Sequence, residues 1–158
     1  MFSSEVSNSI PAIKKLDERS QLPKDPKQIT NDQWKKVLSP EEYNVTRQSG
    51  TEAPFTNHFE NHFVPGKYTC LCCGADLFVS DYKYHSGCGW PSFSKSVEQD
   101  KNIVRLPDDS IPGRHRTEVR CKKCDAHLGH VFQDGPKDST GERYCINSVA
   151  INFESEQK

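Results

Sequence analysis

Cys70-Leu71-Cys72-Cys73-Gly74 is a cysteine-rich stretch whose spacing recurs further along the chain, in Cys121-Lys122-Lys123-Cys124-Asp125. Each stretch holds two cysteines separated by two residues and follows a segment with the pattern of a β-strand. Two such turns brought together supply four thiolates in a tetrahedron, the shell that structural zinc prefers. The repeated spacing therefore predicts a closed, structural zinc site with the ligands Cys70, Cys73, Cys121 and Cys124.

These cysteines have other interpretations, either a thioredoxin-like redox pair or plain buried thiols. A redox pair of this spacing is expected to open a helix in a β-α-β pattern, which this sequence lacks. Cys72 lies inside the first pair and competes with Cys73 as a ligand. Only the choice of Cys70 and Cys73 repeats the spacing of the second pair, so Cys72 is interpreted as a spare thiol.

Composition limits the size of the apolar core and the kinds of partner. Only 33% of the 158 residues are hydrophobic, which favours a fold that a metal ion helps to hold together. The net charge of −1 argues against nucleic acid or an anionic membrane as the main partner. We expect one domain at residues 30–154, preceded by a flexible lead-in at 1–29 and followed by a tail at 155–158.

The N-terminal segment and the cysteine content bear on the compartment. Residues 1–20 have no apolar stretch typical of a secretory signal, and the acidic residues Glu5, Asp17 and Glu18 argue against a mitochondrial presequence. Seven cysteines without a signal favour a reducing compartment, where they serve as metal ligands or redox groups. We expect a cytoplasmic protein and leave a mitochondrial location open.

Helix signals come first along the chain, and strand signals follow. Residues 30–38 have the pattern of a short capped helix, and Ser39 followed by Pro40 is typical of the start of a second helix. Strands are predicted at 66–70, 77–80, 103–106, 115–121, 127–132 and 143–153. Loops or turns are predicted at 84–93, 107–113 and 133–141. The expected fold is mostly antiparallel β with short N-terminal helices, in the α+β class.

Arg143-Tyr144-Cys145-Ile146-Asn147-Ser148 is a candidate catalytic strand near the carboxyl end. Side chains alternate along a strand, so Arg143, Cys145 and Asn147 are expected on one face. A nearby guanidinium lowers the pKa of a thiol and makes it a better nucleophile. The amide of Asn147 is placed to donate to, or to orient, the group that Cys145 attacks. The alternative is a buried cysteine beside a surface arginine.

Cys88, His127 and His130 are the other candidates for redox and proton chemistry. Cys88 lies between two glycines in a loop, where a mobile thiol could resolve an oxidised Cys145 or could simply be exposed. Histidine is the usual proton donor near neutral pH. Both histidines follow Cys124 closely and could instead be metal ligands or surface residues, although four cysteines already suffice for zinc.

Three blocks of this sequence resemble the signature of the B-type methionine sulfoxide reductases. Together with the chain between them they extend from about Trp34 to Phe153. Three long blocks in the family's order are far more specific than either cysteine pair alone. The blocks are SGCGWPSF (residues 86–93), RCKKCDAHLGHVF (residues 120–132) and GERYCINS (residues 141–148).

The resemblance implies a tent-like fold of two antiparallel sheets stapled by zinc, with short helices on the N-terminal side. It implies reduction of the R epimer of methionine sulfoxide, in proteins and also free, as repair of oxidative damage. In the family's pattern Cys145 attacks the sulfoxide sulfur, becomes a sulfenic acid and forms a disulfide with Cys88. Thioredoxin then reduces that disulfide. The expected partners are thioredoxin and oxidised methionine-containing proteins and peptides, with a monomer that binds neither nucleic acid nor membrane.

The family's remaining site residues map onto single positions. Trp90 matches the aromatic residue that holds the methyl group of the substrate. The polar groups that bind or protonate the sulfoxide oxygen correspond to His127, His130 and Asn147. Arg143 matches the residue beside the nucleophile. An indole offers the methyl group an apolar wall, and an imidazolium makes the sulfur a better target by protonating the oxygen.

Two functions of other classes use some of the same residues. A zinc-ribbon binding module would account for the four cysteines, but the sequence lacks a basic stripe, and Cys145, Cys88 and the histidines would have no role. A zinc hydrolase or deaminase would need an open metal position and a carboxylate base near the ligands. The sequence has no His-x-Glu signature for that base.

Overall fold

Two short helices begin where a side chain caps their first turn. The computed structural model describes residues 22–54, 59 and 62–156. Helix α1 (Asn31–Val37) has Thr30 as its N-cap, and helix α2 (Pro40–Arg47) has Ser39, each with the reciprocal bonds of a capping box. Both predicted helices are confirmed. Their capping signals are local, so they can be recognised in the sequence without knowledge of the tertiary structure.

The segment before α1 is more ordered than the predicted lead-in at 1–29. Asp25 caps a turn of 3₁₀ helix at Pro26–Gln28, and Leu22 and Ile29 pack against the core. Residues 1–21 lie outside the described residues, so the domain boundary at 30 stays a prediction. At the other end the last strand reaches Ser155, one residue beyond the predicted domain end at 154.

The strands of the described residues form two antiparallel sheets, which confirms the predicted fold class. One sheet has three strands in the order β2-β1-β9, and the other has six in the order β3-β4-β8-β7-β6-β5. The strands are β1 (Gly66–Cys70), β2 (Asp76–Val79), β3 (Lys83–Tyr84), β4 (Ser92–Phe93), β5 (Ile103–Ile111), β6 (Arg114–Cys121), β7 (His127–Phe132), β8 (Arg143–Ile146) and β9 (Ile151–Ser155).

Aromatic side chains from both sheets meet in the core. Phe78 on β2 stacks on Phe93 of β4 with ring centroids 4.4 Å apart. Tyr68 on β1 contacts Phe93 edge-on, and Tyr144 on β8 contacts Phe78 in the same way. All four side chains are buried. Because pairs of this kind add to the energy of burial, these rings fix one sheet against the other.

The turn predicted at 107–113 is wrong for most of its length. Strand β5 continues through Pro107, which faces Thr117 of β6, and ends at Ile111. Proline has no backbone N–H to donate to a neighbouring strand. It is tolerated in β5 because β5 is the edge strand of its sheet. The reversal occurs at Gly113, which has a positive φ of 75°.

The single strand predicted at 143–153 is two strands in two different sheets. Strand β8 ends at Ile146, a 3₁₀ turn covers Ser148–Ala150, and β9 begins at Ile151. Strand β8 pairs with β4 and β7, whereas β9 pairs with β1. The alternating pattern continues across the turn, which is why sequence periodicity alone did not reveal the crossing.

The loop predicted at 84–93 is bounded by two short strands. Strand β3 ends at Tyr84 and β4 begins at Ser92, and the two pair with each other. Between them the chain carries Cys88 and Trp90, so both candidate residues sit on a loop held at each end by the six-stranded sheet. No helix within the described part of the chain is long and apolar enough to cross a membrane.

We expect Gly129→Ala to destabilise the protein because β7 and β8 approach too closely for a side chain. A Cβ atom at Gly129 would lie 2.0 Å from the carbonyl oxygen of Cys145, so backbone would have to move. Overpacking costs about 1–3 kcal/mol and occasionally more, and a clash with a backbone atom puts Gly129→Ala at the upper end of that range. The measurement is the free energy of unfolding in urea.

Gly113→Ala is the matched control for that experiment. Its Cβ would meet nothing within 4 Å, but its φ of 75° is strained for alanine. Strain of that kind costs about 1–2 kcal/mol. Equal losses for the two variants would contradict the close approach of β7 and β8 at Gly129.

Candidate active site

The four cysteines of the two pairs come together between the sheets. Cys70 ends β1 of the three-stranded sheet, and Cys121 ends β6 of the six-stranded sheet. The Sγ atoms of Cys70 and Cys124 are 3.6 Å apart, and those of Cys73 and Cys121 are 3.5 Å apart. All four sulfurs lie within 4.8 Å of one another. We call this group the cysteine tetrad.

The tetrad fits a metal ion in both chemistry and size. Zinc bound to four thiolates at about 2.3 Å places the sulfurs about 3.8 Å apart, close to the separations of 3.5 and 3.6 Å found in the tetrad. Three of the four residues are buried, and the fourth, Cys73, is half-buried. The tetrad could therefore hold a metal ion with no coordination position left for a substrate.

Each cysteine pair closes a turn of the same construction. In the first, the N–H of Gly74 donates to the carbonyl of Cys70. In the second, the N–H of Asp125 donates to the carbonyl of Cys121. Gly74 and Asp125 both have a positive φ, and asparagine and aspartate are the residues other than glycine that tolerate it best. The repeated local geometry explains how two unlike sequences present their thiols in the same way.

Cys145 lies on β8, in contact with the other two groups expected to act with it. Its Sγ is 2.8 Å from the Sγ of Cys88 and 3.2 Å from Nη1 of Arg143. Ser92 faces Cys145 across the β4–β8 ladder, and its Oγ is 3.3 Å from the Sγ of Cys88. The structure thus brings together the candidate nucleophile, the candidate resolving thiol and the guanidinium that were predicted from the sequence.

The two thiols of this pair titrate together. The hydrogen bond with Cys145 is the main reason that the pKa of Cys88 is lowered, to about 4. The same contact, with burial, raises the pKa of Cys145, and Arg143 offsets only part of that rise. While the two sulfurs are in contact, these directions favour ionisation of Cys88 before Cys145, and the titration belongs to the pair. A Cys145 thiolate beside Arg143 is favoured only when Cys88 keeps its proton or moves away.

A small pocket of about 80 Å³ opens beside Cys145. Four of the predicted site residues line it: Trp90, His130, Cys145 and Asn147. The sequence analysis missed its other lining residues, which are Thr51, Arg116, Gly129 and Phe132. The indole, one imidazole and the thiol therefore share one cavity.

Glu52 fixes the indole and the amide that border this pocket. Its carbonyl accepts from Nε1 of Trp90, and its N–H donates to Oδ1 of Asn147. Nδ2 of Asn147 also donates to the carbonyl of Leu128, which leaves one N–H of that amide for a ligand. The Glu52 carboxylate accepts from the N–H of Val149, and burial raises its pKa. A role for Glu52 could not be predicted from the sequence, because a single glutamate in a loop belongs to no motif.

His130 is held by a carboxylate that is itself held by an arginine. Nε2 of His130 lies 2.7 Å from Oδ2 of Asp108, and Nη2 of Arg116 lies 3.1 Å from the same oxygen. The bonds from Ser110 and His130 lower the pKa of Asp108. Because an ionised carboxylate only accepts, the His130 ring donates its Nε2–H.

His127 lies behind the pocket and does not line it. Its Nδ1 is 2.7 Å from Oε2 of Glu118, and Arg120 donates to both oxygens of the same carboxylate. Burial opposes ionisation of Glu118, but the bonds from Arg120 and His127 more than offset it and lower the pKa. Burial also lowers the pKa of His127. Its ring centroid is 5.7 Å from that of His130, so the two imidazole rings pack against each other.

A third carboxylate, Asp134, holds Arg143 in place. Nε and Nη2 of Arg143 donate to the two oxygens of Asp134 at 2.9 and 3.3 Å, and the guanidinium lies over the ring of Phe132. The sequence analysis overlooked these three carboxylates. One of them, Glu118, could have been found from the sequence. It alternates with Arg116 and Arg120 along β6, so the three share one face of a strand that pairs with β7, which carries both histidines.

Comparison with known proteins places this arrangement in a family. The SelR domain model matches residues 38–155. The chain is 63% identical over 131 residues to a Caenorhabditis elegans protein named probable methionine-R-sulfoxide reductase B, covering 83% of this chain and 86% of the relative. It is 54% identical over 131 residues to mitochondrial methionine-R-sulfoxide reductase B2 of Danio rerio, covering 79% and 72%.

An archaeal relative extends the comparison. The peptide methionine sulfoxide reductase MsrB of Methanosarcina barkeri is 50% identical over 129 residues, covering 82% of this chain and 89% of the relative. The family model spans both cysteine pairs, Cys88, the histidine strand and β8. This chain belongs to the SelR domain family, the B-type methionine sulfoxide reductases.

We expect Cys124→Ser to release bound metal, because a site with three sulfurs binds zinc-type ions far more weakly than a site with four. We also expect this variant to unfold, because the free energy of metal binding contributes to the free energy of folding. Metal analysis of the purified chain should give about one ion per molecule. Circular dichroism before and after addition of a chelator measures the loss of structure.

Cys72→Ser is the control for the metal experiment, since Cys72 is buried next to the tetrad but does not belong to it. We expect this variant to keep its metal content. If Cys124→Ser kept its metal while Cys72→Ser lost it, the ligand set would be different from the tetrad.

Proposed function

We propose that this chain reduces the R epimer of methionine sulfoxide to methionine, in oxidised proteins and peptides and as the free amino acid. The observation that carries the proposal is the pocket in which the Cys145 thiol, the Trp90 indole and the His130 imidazole meet. Membership of the SelR domain family and the printed names of the relatives support it.

The chemistry begins with attack by the Cys145 thiolate on the sulfoxide sulfur. A protonated His130 donates through both ring nitrogens, so its bond to Asp108 leaves a second N–H for the sulfoxide oxygen. Protonation of that oxygen makes the sulfur a better target. Attack forms a bond between Sγ of Cys145 and the substrate sulfur, and the protonated oxygen is then transferred to Sγ as the substrate S–O bond and the new S–S bond break. Methionine leaves with the electron pair of the S–S bond, and Cys145 becomes a sulfenic acid.

Cys88 then attacks the Cys145 sulfenic acid, water leaves, and a disulfide joins the two residues. The short separation of their sulfurs, 2.8 Å, favours this step because little movement is needed. A dithiol reductant restores both thiols, and thioredoxin is the reductant that we propose. Arg143, fixed by Asp134, stabilises negative charge on Cys145 each time that it is a thiolate.

Selection of one epimer follows from the two unlike walls of the pocket. Trp90 presents an apolar surface that suits the methyl group, and its indole is fixed by the hydrogen bond to Glu52. His130, Arg116 and the remaining amide N–H of Asn147 form the polar wall. With the sulfur placed against Cys145, the R epimer directs its oxygen to the polar wall while its methyl group contacts the indole.

The metal that we propose for the tetrad is zinc, in a structural role. Four thiolates in a buried tetrahedral arrangement are its preferred shell, and they leave no position for a bound water or substrate. A zinc ion held by Cys70 and Cys121 would join β1 to β6 and so would support the sheet that carries β8.

We expect the protein to act as a cytoplasmic monomer, and to bind neither nucleic acid nor membranes.

We expect Cys145→Ser to abolish methionine formation from a methionine-R-sulfoxide peptide, because the nucleophile is lost. Cys88→Ser should form about one methionine per chain in a single turnover and then stop with thioredoxin, because the sulfenic acid cannot be resolved. Mass spectrometry of the peptide after quenching measures both. Sustained thioredoxin-dependent turnover by Cys88→Ser would indicate another resolving thiol, with Cys72 the first candidate. Activity of Cys145→Ser would overturn the proposal.

Asp108→Asn should lower kcat about tenfold with little change in KM, because an uncharged partner orients His130 but supports its protonated form less well. Steady-state rates with dithiothreitol as reductant measure both constants. Asp109→Asn is the matched control, since Asp109 is exposed and pairs with His115 away from the pocket. Equal rates for Asp108→Asn and the unmodified chain would remove His130 from the proton transfer.

A further inference from the structure

A group of charged and polar side chains lies behind strand β8, on the face away from the pocket. Glu142, which immediately precedes β8, and Tyr144 alternate with Arg143 and Cys145, so the two pairs point to opposite faces. Tyr144 is buried and packs against Phe78, whereas Cys145 lines the pocket. We call the group behind the strand the rear cluster, and its members are Ser96, Asp100, Arg105, Glu142 and Tyr144.

Arg105, on β5, binds three members of the rear cluster with its guanidinium. Nη1 and Nη2 donate to the two carboxylate oxygens of Glu142, each at 2.7 Å. Nη2 also donates to the hydroxyl of Tyr144 at 2.7 Å, and Nε donates to Oδ2 of Asp100 at 2.9 Å. Strands β6 and β7 lie between β5 and β8 in the sheet, so β5 and β8 are not hydrogen-bonded neighbours. The guanidinium is therefore a direct link between β5 and the start of β8.

Asp100 reaches the rear cluster through an unusual turn. Glu98, Gln99 and Asp100 have positive φ angles of 44°, 53° and 66°, a region that residues other than glycine rarely adopt. Such conformations persist only where the surroundings fix them. Here Oγ of Ser96 accepts from the N–H of Asp100 at 2.7 Å and donates to its Oδ1 at 2.6 Å. The turn thereby holds the carboxylate where Oδ1 also accepts from the hydroxyl of Tyr144, at 2.6 Å.

The hydroxyl of Tyr144 lies between a cation and an anion. It accepts from Arg105 and donates to Asp100. Burial, and then the bond to Asp100, raises the pKa of Tyr144 to about 12, so the hydroxyl keeps its proton near neutral pH. The bond from Arg105 lowers the pKa of Glu142 and keeps that carboxylate ionised. Each group thus has a fixed role as donor or acceptor, which favours a single arrangement of the cluster.

We propose that Asp100 and Arg105 are positioning residues for Cys145, on which they act through Glu142 and Tyr144. By holding residues 142 and 144 behind β8, they fix the direction in which residues 143 and 145 point in front of it. The inference rests on the proposed function, because it concerns the nucleophile of that reaction. It adds a set of residues outside the pocket on which the rate depends.

Strand β8 needs such a link because its backbone pairing is short. Its ladder with β4 has two residue pairs, Ser92 with Cys145 and Phe93 with Tyr144, and its ladder with β7 has four. Nη1 of Arg143 lies 3.2 Å from Sγ of Cys145, and a small tilt of the strand would lengthen that distance. A misplacement of about 1 Å at a reacting group can lower a rate by about a hundredfold.

The rear cluster should affect the rate more than substrate binding or folding. The pocket walls that receive the methyl group and the oxygen include Trp90 on the β3–β4 loop and His130 on β7. Because these walls are not on β8, we expect a tilt of β8 to change KM little. The ion pairs of Arg105 are partly exposed, and pairs of that kind add little to stability, so we expect the variants below to fold.

Tyr144→Phe removes the hydroxyl and keeps the buried ring. With a methionine-R-sulfoxide peptide and dithiothreitol, we expect kcat to fall about fivefold while KM stays within about twofold. Tyr82→Phe is the matched control, because Tyr82 lies outside the cluster, with Nζ of Lys95 over its ring at 4.3 Å. Urea unfolding establishes that both variants are folded at the assay temperature. A folded Tyr144→Phe variant with unchanged kcat would overturn the inference, since its hydroxyl would then serve stability alone.

Arg105→Lys separates geometry from charge. Lysine keeps the positive charge but cannot form two parallel bonds to Glu142. We expect kcat to fall by at least about threefold in Arg105→Lys and to a similar extent in Arg105→Gln. Lys101→Gln is the control, because Lys101 is exposed and pairs with the exposed Glu98. Full activity of Arg105→Lys would show that charge suffices and would contradict a positioning role.

Alkylation of Cys145 tests the position of the thiol without any sulfoxide. In a Cys88→Ser chain, the rate of iodoacetamide addition at Cys145 is followed by peptide mass spectrometry. We expect added Tyr144→Phe to slow this reaction about threefold, because Sγ moves away from Arg143, which lowers the pKa of the thiol. Equal rates would overturn the inference. Absence of methionine formation by the unmodified chain would instead overturn the reductase function, while alkylation would still report on the rear cluster.

Discussion

The contact between the two sheets at the cysteine tetrad is the constraint on which the rest of the structure depends. Cys70 ends a strand of the three-stranded sheet, and Cys121 ends a strand of the six-stranded sheet. A chain with 33% hydrophobic residues has a limited apolar core, so one cluster of sulfurs and one cluster of aromatic rings share the task of holding the sheets together. Strand β8, which carries Cys145, lies inside the larger sheet and is held by its neighbours β4 and β7 on both sides.

Carboxylates give this site much of its order. Asp108 and Glu118 each bind one imidazole and one guanidinium, and Asp134 binds the guanidinium of Arg143, by hydrogen bonds of 2.7 to 3.3 Å. The charged groups closest to the sulfur pair are thus fixed before a substrate arrives, which is the condition for strong electrostatic stabilisation of a reacting centre. The contact between the two thiols affects the pKa of Cys145 more than Arg143 does, so the ionisation of either thiol depends on the other.

The sequence predicted features that depend on local rules. Capping residues defined both helices, and the repeated cysteine spacing identified the tetrad without knowledge of the fold. Other features depend on contacts between distant segments and left no local pattern. Strands β8 and β9 were predicted as one strand because the alternation of side chains continues across Asn147. A turn was predicted at Pro107 because the sequence does not reveal that β5 is an edge strand. The carboxylates that bind the histidines lie on β6 and β5, nine and 22 residues earlier in the chain, and the pairing of these strands with each other and with β7 brings them together.

The crossing of the chain from β8 to β9 has a mechanical consequence. Ile151 at the start of β9 faces Cys70 across the β1–β9 ladder, and Cys145 lies just before the crossing on β8. A shift of Cys70 in the tetrad therefore reaches Cys145 through one ladder and a short piece of backbone. Damage to the tetrad would displace the Cys88–Cys145 pair while leaving both of these thiols chemically unchanged.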